Sequence, residues 1–401
     1  MIDVKAIRED FPVYQNQPNM IYLDSAASAL KVKSAIHQVD NYYQTLGVNV
    51  HRGAYDLAYE TTMLFEGARE KVAQFIHAIP EEIVFTRGAT SALNMVAHAY
   101  MNILSEGDEI ITSELEHHSS VLPWMMVAKH TKAKLIYVPL TKEGRITEEG
   151  FLSVLTKKTK VVALTHVSNV MGYLTPIKAI AKHAHKVNAV VVLDGAQSVP
   201  HMRVDVKDLD IDYLAFSGHK MFGPSGVGVL YGKKHLLDQL EPFEYGGEMV
   251  DQVTKDSATW KEAPMRLEAG TPVISGAIGL AAAMDYITQL GFENIHAHTH
   301  QMHQYTLKKL KQLEGITIYN PTAENPVICF NVDGVHPHDI ATMLDQHKVS
   351  VRAGHHCAQL VSQFLGVTST LRASFHIYND MHDADTFIES VKEARDFFLG
   401  F

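Results

Sequence analysis

The 401-residue sequence holds only two cysteines, Cys329 and Cys357. So few thiols exclude a disulfide framework and make a reducing cytosol the expected setting. Long apolar runs are missing too, and none approaches the ~20 residues that span a bilayer. The first ten residues, Met1 to Asp10, carry charges where a signal peptide needs an apolar core, so export is not expected. Basic blocks are also absent: Lys and Arg number 35 against 45 Asp and Glu, a net charge of −10, and nothing marks a nucleic-acid partner. Internal repeats and low-complexity linkers are lacking. The composition that is present, 46% hydrophobic and 20% charged, is that of a globular protein long enough for two or three domains. A soluble, cytoplasmic protein without membrane or nucleic-acid partners is expected.

Histidine is abundant, at 24 residues. His296 and His300 lie one helical turn apart, with His298 and His303 nearby, so a metal site is conceivable. No cysteine or carboxylate set completes it, and a solvated helix face is the simpler reading.

From about residue 80, short apolar runs alternate with helical patterns. The strands are expected at 83–85, 109–112, 134–138, 161–165, 190–193, 213–216 and 227–231, with amphipathic stretches such as 91–104 and 177–186 between them. Several runs are apolar throughout, as strands buried on both faces must be. The alternation implies βαβ units and an α/β fold with a mainly parallel seven-stranded sheet. After about residue 290 a long helical stretch to Leu313 gives way to short strands at 317–319, 327–332, 349–351 and 371–375, then a final helix over 384–398. A large domain over 23–287 and a smaller α+β domain over 1–22 and 288–401 are expected.

Ligands of open parallel sheets bind beyond the carboxyl ends of the strands, so the residues found there are informative. Run 213–216 leads into Ser217-Gly218-His219-Lys220. Lys220 alone reads equally well as a solvated loop lysine or as an amine placed to hold an aldehyde cofactor. Asp194 ends the run at 190–193, one βαβ step earlier, which would set a carboxylate beside the amine. Pyridoxal 5′-phosphate requires such a pair: the lysine holds the aldehyde and the aspartate keeps the pyridine nitrogen protonated. Gly88-Ala89-Thr90 follows the run at 83–85 and opens a helix, a start that suits a phosphate, with ordinary capping as the rival reading. Glu116-His117-His118 follows the run at 109–112 and offers an imidazole to lie over a ring.

Cys329, inside Val327-Ile328-Cys329-Phe330, reads as a buried structural thiol. Cys357 sits in Arg352-Ala353-Gly354-His355-His356-Cys357-Ala358, beside imidazoles that favour a nucleophilic thiolate. Arg372 reads either as a bidentate carboxylate binder or as half of a structural ion pair.

Together these motifs, with Tyr22-Leu23-Asp24-Ser25-Ala26-Ala27-Ser28, Thr165-His166-Val167-Ser168-Asn169 and Leu371-Arg372-Ala373-Ser374, resemble the cysteine desulfurases of the class-V aminotransferase group. The resemblance is to the SufS-like, group II branch on the fold-type I pyridoxal-phosphate scaffold, and it covers essentially the whole chain. It implies pyridoxal 5′-phosphate on Lys220, His117 stacked on the pyridine ring, Asp194 on its nitrogen and Gln197 near its phenolic oxygen. Thr90, Ser217 and His219 would hold the phosphate, joined by Thr271 from the partner subunit of a homodimer. Asn169 and Arg372 would bind the substrate carboxylate, and Cys357 would accept sulfur from L-cysteine. Val273 and Ala89 depart from the group, which often has asparagine and threonine there. The branch also implies a SufE- or SufU-like sulfur acceptor and a role in iron–sulfur cluster assembly. A selenocysteine lyase would use the same site with less need of Cys357, an aminotransferase would not need it, and a non-catalytic assembly scaffold would need neither cofactor nor thiol.

Overall fold

A computed structural model describes residues 2–400. Seven strands form one sheet: β1 Ile83–Thr86, β2 Glu109–Thr112, β3 Lys134–Tyr137, β4 Thr159–Thr165, β5 Val190–Asp194, β6 Tyr213–Ser217 and β7 Gly228–Gly232. Their spatial order is β1-β7-β6-β5-β4-β2-β3. Strands β3, β2, β4, β5 and β6 pair in parallel, and β7 alone opposes its neighbours β1 and β6. The sheet is therefore mainly parallel, as its apolar runs predict. The reversal at β7 follows from a short return after β6 that carries no crossover helix.

Side-chain alternation explains why these strands are apolar throughout. Along β4 to β6, Val162, Leu164, Val191, Leu193, Leu214 and Phe216 enter one core, while Val161, Ala163, Val192, Tyr213 and Ala215 enter the other. Helices α1 Ala89–Tyr100 and α2 His118–Thr131 cover the second face with Leu93, Val96, Trp124 and Val127. Helix α3 Ile274–Leu290 packs Leu280, Met284 and Ile287 into the first. Neither face is left to water.

The step from β5 to β6 departs from the expected βαβ unit, because 195–212 runs as successive turns without a helix. Its buried residues Val199, Val204, Val206 and Ile211 follow no helical period, and Pro200 removes a backbone donor. The two strands are parallel neighbours all the same.

Further along, α4 Phe292–Leu310 precedes a four-stranded antiparallel sheet of β8 Ile316–Ile318, β9 Val327–Val332, β10 Arg352–Gly354 and β11 Thr370–Ser374, ordered β8-β9-β11-β10. Helices α5 Gln359–Phe364 and α6 Met381–Leu399 flank β11 in sequence. Met302, Leu307, Phe330, Phe387 and Val391 form its separate core. The strand expected at 349–351 is shorter: Val349–Ser350 pairs in parallel with Ile21–Tyr22, and the chain re-enters the sheet at Arg352 as β10. On α4, His296 and His300 are exposed and stacked with centroids 5.6 Å apart, whereas His298 and His303 are buried. Among the described residues no group of three or more His, Cys, Asp or Glu could hold a metal ion. No described helix is long and apolar enough to cross a membrane.

Candidate active site

Asp194 closes β5, and in the neighbouring strand its register partner is Ala215, two residues before the end of β6. The 3-10 turn Gly218–Lys220 then brings Lys220 into the same cavity as Asp194. That turn is held from behind by the segment after Tyr22. The His219 carbonyl accepts from the Ala29 amide (3.0 Å), Lys31 Nζ (2.9 Å) and Ser28 Oγ (3.2 Å), and the Phe222 carbonyl accepts from the Val32 amide at 3.1 Å. Phe222 has φ +63°, a left-handed conformation that these bonds stabilise. No sequence motif singled out Lys31, whose ammonium reaches a turn 188 residues away.

The turn at Gly88 brings α1 against β7. A Cβ on Gly228 would lie 2.4 Å from the Gly88 Cα, so only glycine permits this approach. The Ala89 amide, in the first turn of α1, donates to Ser217 Oγ at 2.8 Å and ties the helix start to the end of β6. The start of α1 thus sits beside Ser217, a helix N-terminus suited to an anion.

One cavity of about 210 Å³ gathers Thr90, His117, Asn169, Asp194, Ser217, His219, Lys220, Cys357 and Arg372, together with Arg352. Thr90, His117 and Cys357 also border an outer groove of about 570 Å³ whose walls include Leu122, Met126 and Phe243. Two candidates lie elsewhere. Gln197 is buried but donates its amide to the Ala26 carbonyl at 2.7 Å, and Thr271 is exposed.

Burial dominates the electrostatics. It lowers the Lys220 pKa to about 8, against the opposing pull of Asp194, while Arg372 and Arg352 add to the lowering. Asp194 is raised by burial despite Lys220 and the Ala196 amide that it accepts at 3.0 Å. His117 falls to about 3 through burial and nearby positive charge, so its ring is neutral. Its Nδ1 accepts the Ser119 amide at 3.1 Å, which places the ring proton on Nε2. Beneath it, Glu116 is raised to about 8 by burial, although its Oε1 accepts from Ser113 Oγ and the Thr165 amide.

Arg372 donates from one terminal nitrogen to the Asn169 carbonyl (3.0 Å) and from the other to Asp24 Oδ1 (2.9 Å). Its Nε is buried and has no hydrogen-bond partner among the described residues. The Asn169 amide donates to the His356 carbonyl at 2.8 Å. The Cys357 loop is strained: His356 and Cys357 have φ +52° and +54°, each costing on the order of 1–2 kcal/mol for a residue with a Cβ. Cys357 is exposed, whereas Cys329 is buried opposite Arg372 and its thiol is pushed up to about 12 by burial.

A half-buried amine and a buried carboxylate beyond neighbouring strand ends, with a thiol at the mouth, suit cofactor-assisted chemistry on an amino acid. Residues 21–387 match the class-V aminotransferase family. A probable cysteine desulfurase of Halalkalibacterium halodurans is 49% identical over 98% of each chain. The solved cysteine desulfurases of Thermococcus onnurineus (TM-score 0.94, 40% identity, 100% and 99% coverage) and Escherichia coli, CsdA (TM-score 0.93, 38% identity, 99% of both chains), share the architecture. The chain belongs to the class-V aminotransferase family and, within it, to the cysteine desulfurases.

Proposed function

We propose that the chain is a pyridoxal 5′-phosphate-dependent enzyme that converts L-cysteine to L-alanine and leaves a persulfide on Cys357. The observation that carries this reading is that Lys220, Asp194 and Cys357 line one cavity. The cradle fits the cofactor: the glycine-only approach of Gly88 and Gly228 and the start of α1 suit its phosphate, with Thr90, Ser217 and His219 around it. Asp194 would face the ring nitrogen, His117 the ring plane and Lys220 the aldehyde. Gln197 would reach the phenolic oxygen by releasing Ala26. Thr271, exposed and outside the cavity of its own chain, suits a site completed by a second copy.

Pyridoxal phosphate, when bound, supplies the electron sink that makes the substrate α-proton removable. Arg372, which lines the same cavity, would orient the substrate carboxylate. Lys220, with a pKa near 8, is suited to take the α-proton and return it. Cys357 as thiolate attacks the substrate sulfur. A sulfur–sulfur bond forms, the carbon–sulfur bond breaks, and its electron pair stays with the carbon that becomes alanine's methyl group. The outer groove at Cys357 then admits an acceptor thiol.

The finer reading is a SufS-like, group II homodimer in the cytoplasm, passing sulfur to a SufE- or SufU-like acceptor for iron–sulfur cluster assembly. A large domain over 23–287 would bind the cofactor, and a small domain over 1–22 and 288–401 would carry the cysteine loop. Mass spectrometry after L-cysteine exposure tests the reading, with pyridoxal phosphate expected on Lys220 and one added sulfur on Cys357. Sulfur on neither cysteine, with alanine still formed, would refute it.

A further inference from the structure

The Cys357 loop carries two consecutive left-handed residues that have a Cβ, and something must hold them there. Part of the hold comes from beneath: Asn169 binds the His356 carbonyl, and the His356 ring donates to the Thr370 carbonyl and hydroxyl at 3.1 and 2.9 Å. The other part comes from across the cavity mouth. The His118 amide donates to the Cys357 carbonyl at 2.7 Å, and His118 Nε2 accepts the Gln359 amide at 3.0 Å. One residue, the first of α2, thus grips the chain on both sides of Ala358.

We propose that His118 is a positioning residue that fixes the Cys357 thiol at the cavity mouth by a two-point clamp, backbone to Cys357 and imidazole to Gln359. The inference rests on the role of Cys357 proposed above. Gln359 is the first residue of α5, so its amide has no partner within the helix, and His118 is what satisfies it. An imidazole accepts at Nε2 only when neutral. Burial and the neighbouring His355 lower the pKa of His118, which preserves that acceptor. The adjacent His117 ring, 6.4 Å away, is held neutral as well, so no imidazolium crowds the clamp from that side. The arrangement couples α2, which borders the outer groove, to a loop 241 residues distant.

His118→Ala and His118→Gln, made in the holoenzyme, test the clamp by two readouts. The first is amide hydrogen exchange at Gln359. The second is the rate of persulfide formation on Cys357 after one addition of L-cysteine. In His118→Ala we expect Gln359 exchange to rise at least about tenfold and persulfide formation to slow about tenfold, with bound cofactor and its absorbance unchanged. In His118→Gln, whose amide oxygen can stand in for Nε2, both should return to within about threefold of the parent. Unchanged exchange at Gln359 in His118→Ala overturns the clamp. So does unchanged persulfide formation in a parent that forms it. If the parent forms no persulfide, the role of Cys357 fails, and Gln359 exchange alone still decides the clamp.

Discussion

Lys220 and Asp194 stand at the ends of neighbouring strands, each beside a core packed on both faces, whereas Cys357 stands on a loop between β10 and α5. Asp194 is buried and Lys220 half-buried, and the turn that carries Lys220 is fastened by hydrogen bonds from 28–32. The thiol is exposed, strained and held by contacts from distant elements. Groups that must keep one geometry relative to a cofactor sit where the sheet fixes them. The group that must meet substrate and then a second thiol sits at the cavity mouth, held in place by bonds from elements distant in sequence.

Removing the fixed half should do the greater damage. Lys220→Ala should lower cysteine desulfuration by more than about 10³-fold and abolish the covalent bond to pyridoxal phosphate, seen as the missing mass adduct. Cys357→Ser breaks the other half: the yellow cofactor band should persist while sulfur release falls about 10²-fold or more. A smaller loss with L-selenocysteine than with L-cysteine in that variant would sharpen the division between halves. Full activity with L-cysteine would break it. Gly228→Ala, which drives a Cβ into the Gly88 turn, should destabilise the fold by about 1–3 kcal/mol and weaken cofactor retention on dialysis.

The smallest effect concerns charge. Burial holds Lys220 at about 8 in the fold, below its ordinary value of 10.5. Between those values the unfolded chain binds more protons at this site, so cofactor-free stability gains from Lys220 as pH rises from about 8 towards 10. Denaturant titrations of the parent and Lys220→Met should differ by that slope, and parallel curves would contradict it.

The strand-end half was largely legible in sequence, because apolar runs buried on both faces betray a parallel sheet and the residues after each run fall at one edge. Asp194 and Lys220 were singled out this way, and the fold brings both to one cavity. Periodicity carried no strand direction, so the reversal at β7 and the helix-free step over 195–212 emerged only in the fold. The loop half was legible only as a motif. Lys31 clasping His219 and His118 gripping Gln359 join residues 188 and 241 positions apart, and no local pattern encodes such pairs. Gln197 and Thr271 came from resemblance alone, and the fold places both outside the cavity lining.

The contrast between the two cysteines has a practical use. Cys329 is fully buried with a thiol pushed up to about 12, while Cys357 is open to solvent at the cavity mouth. An alkylating dye applied to the native protein should therefore stop at one label per chain. The amount of dye taken up counts intact sites in a preparation directly, and its slowing when an acceptor protein is added reports how much of the mouth that acceptor covers.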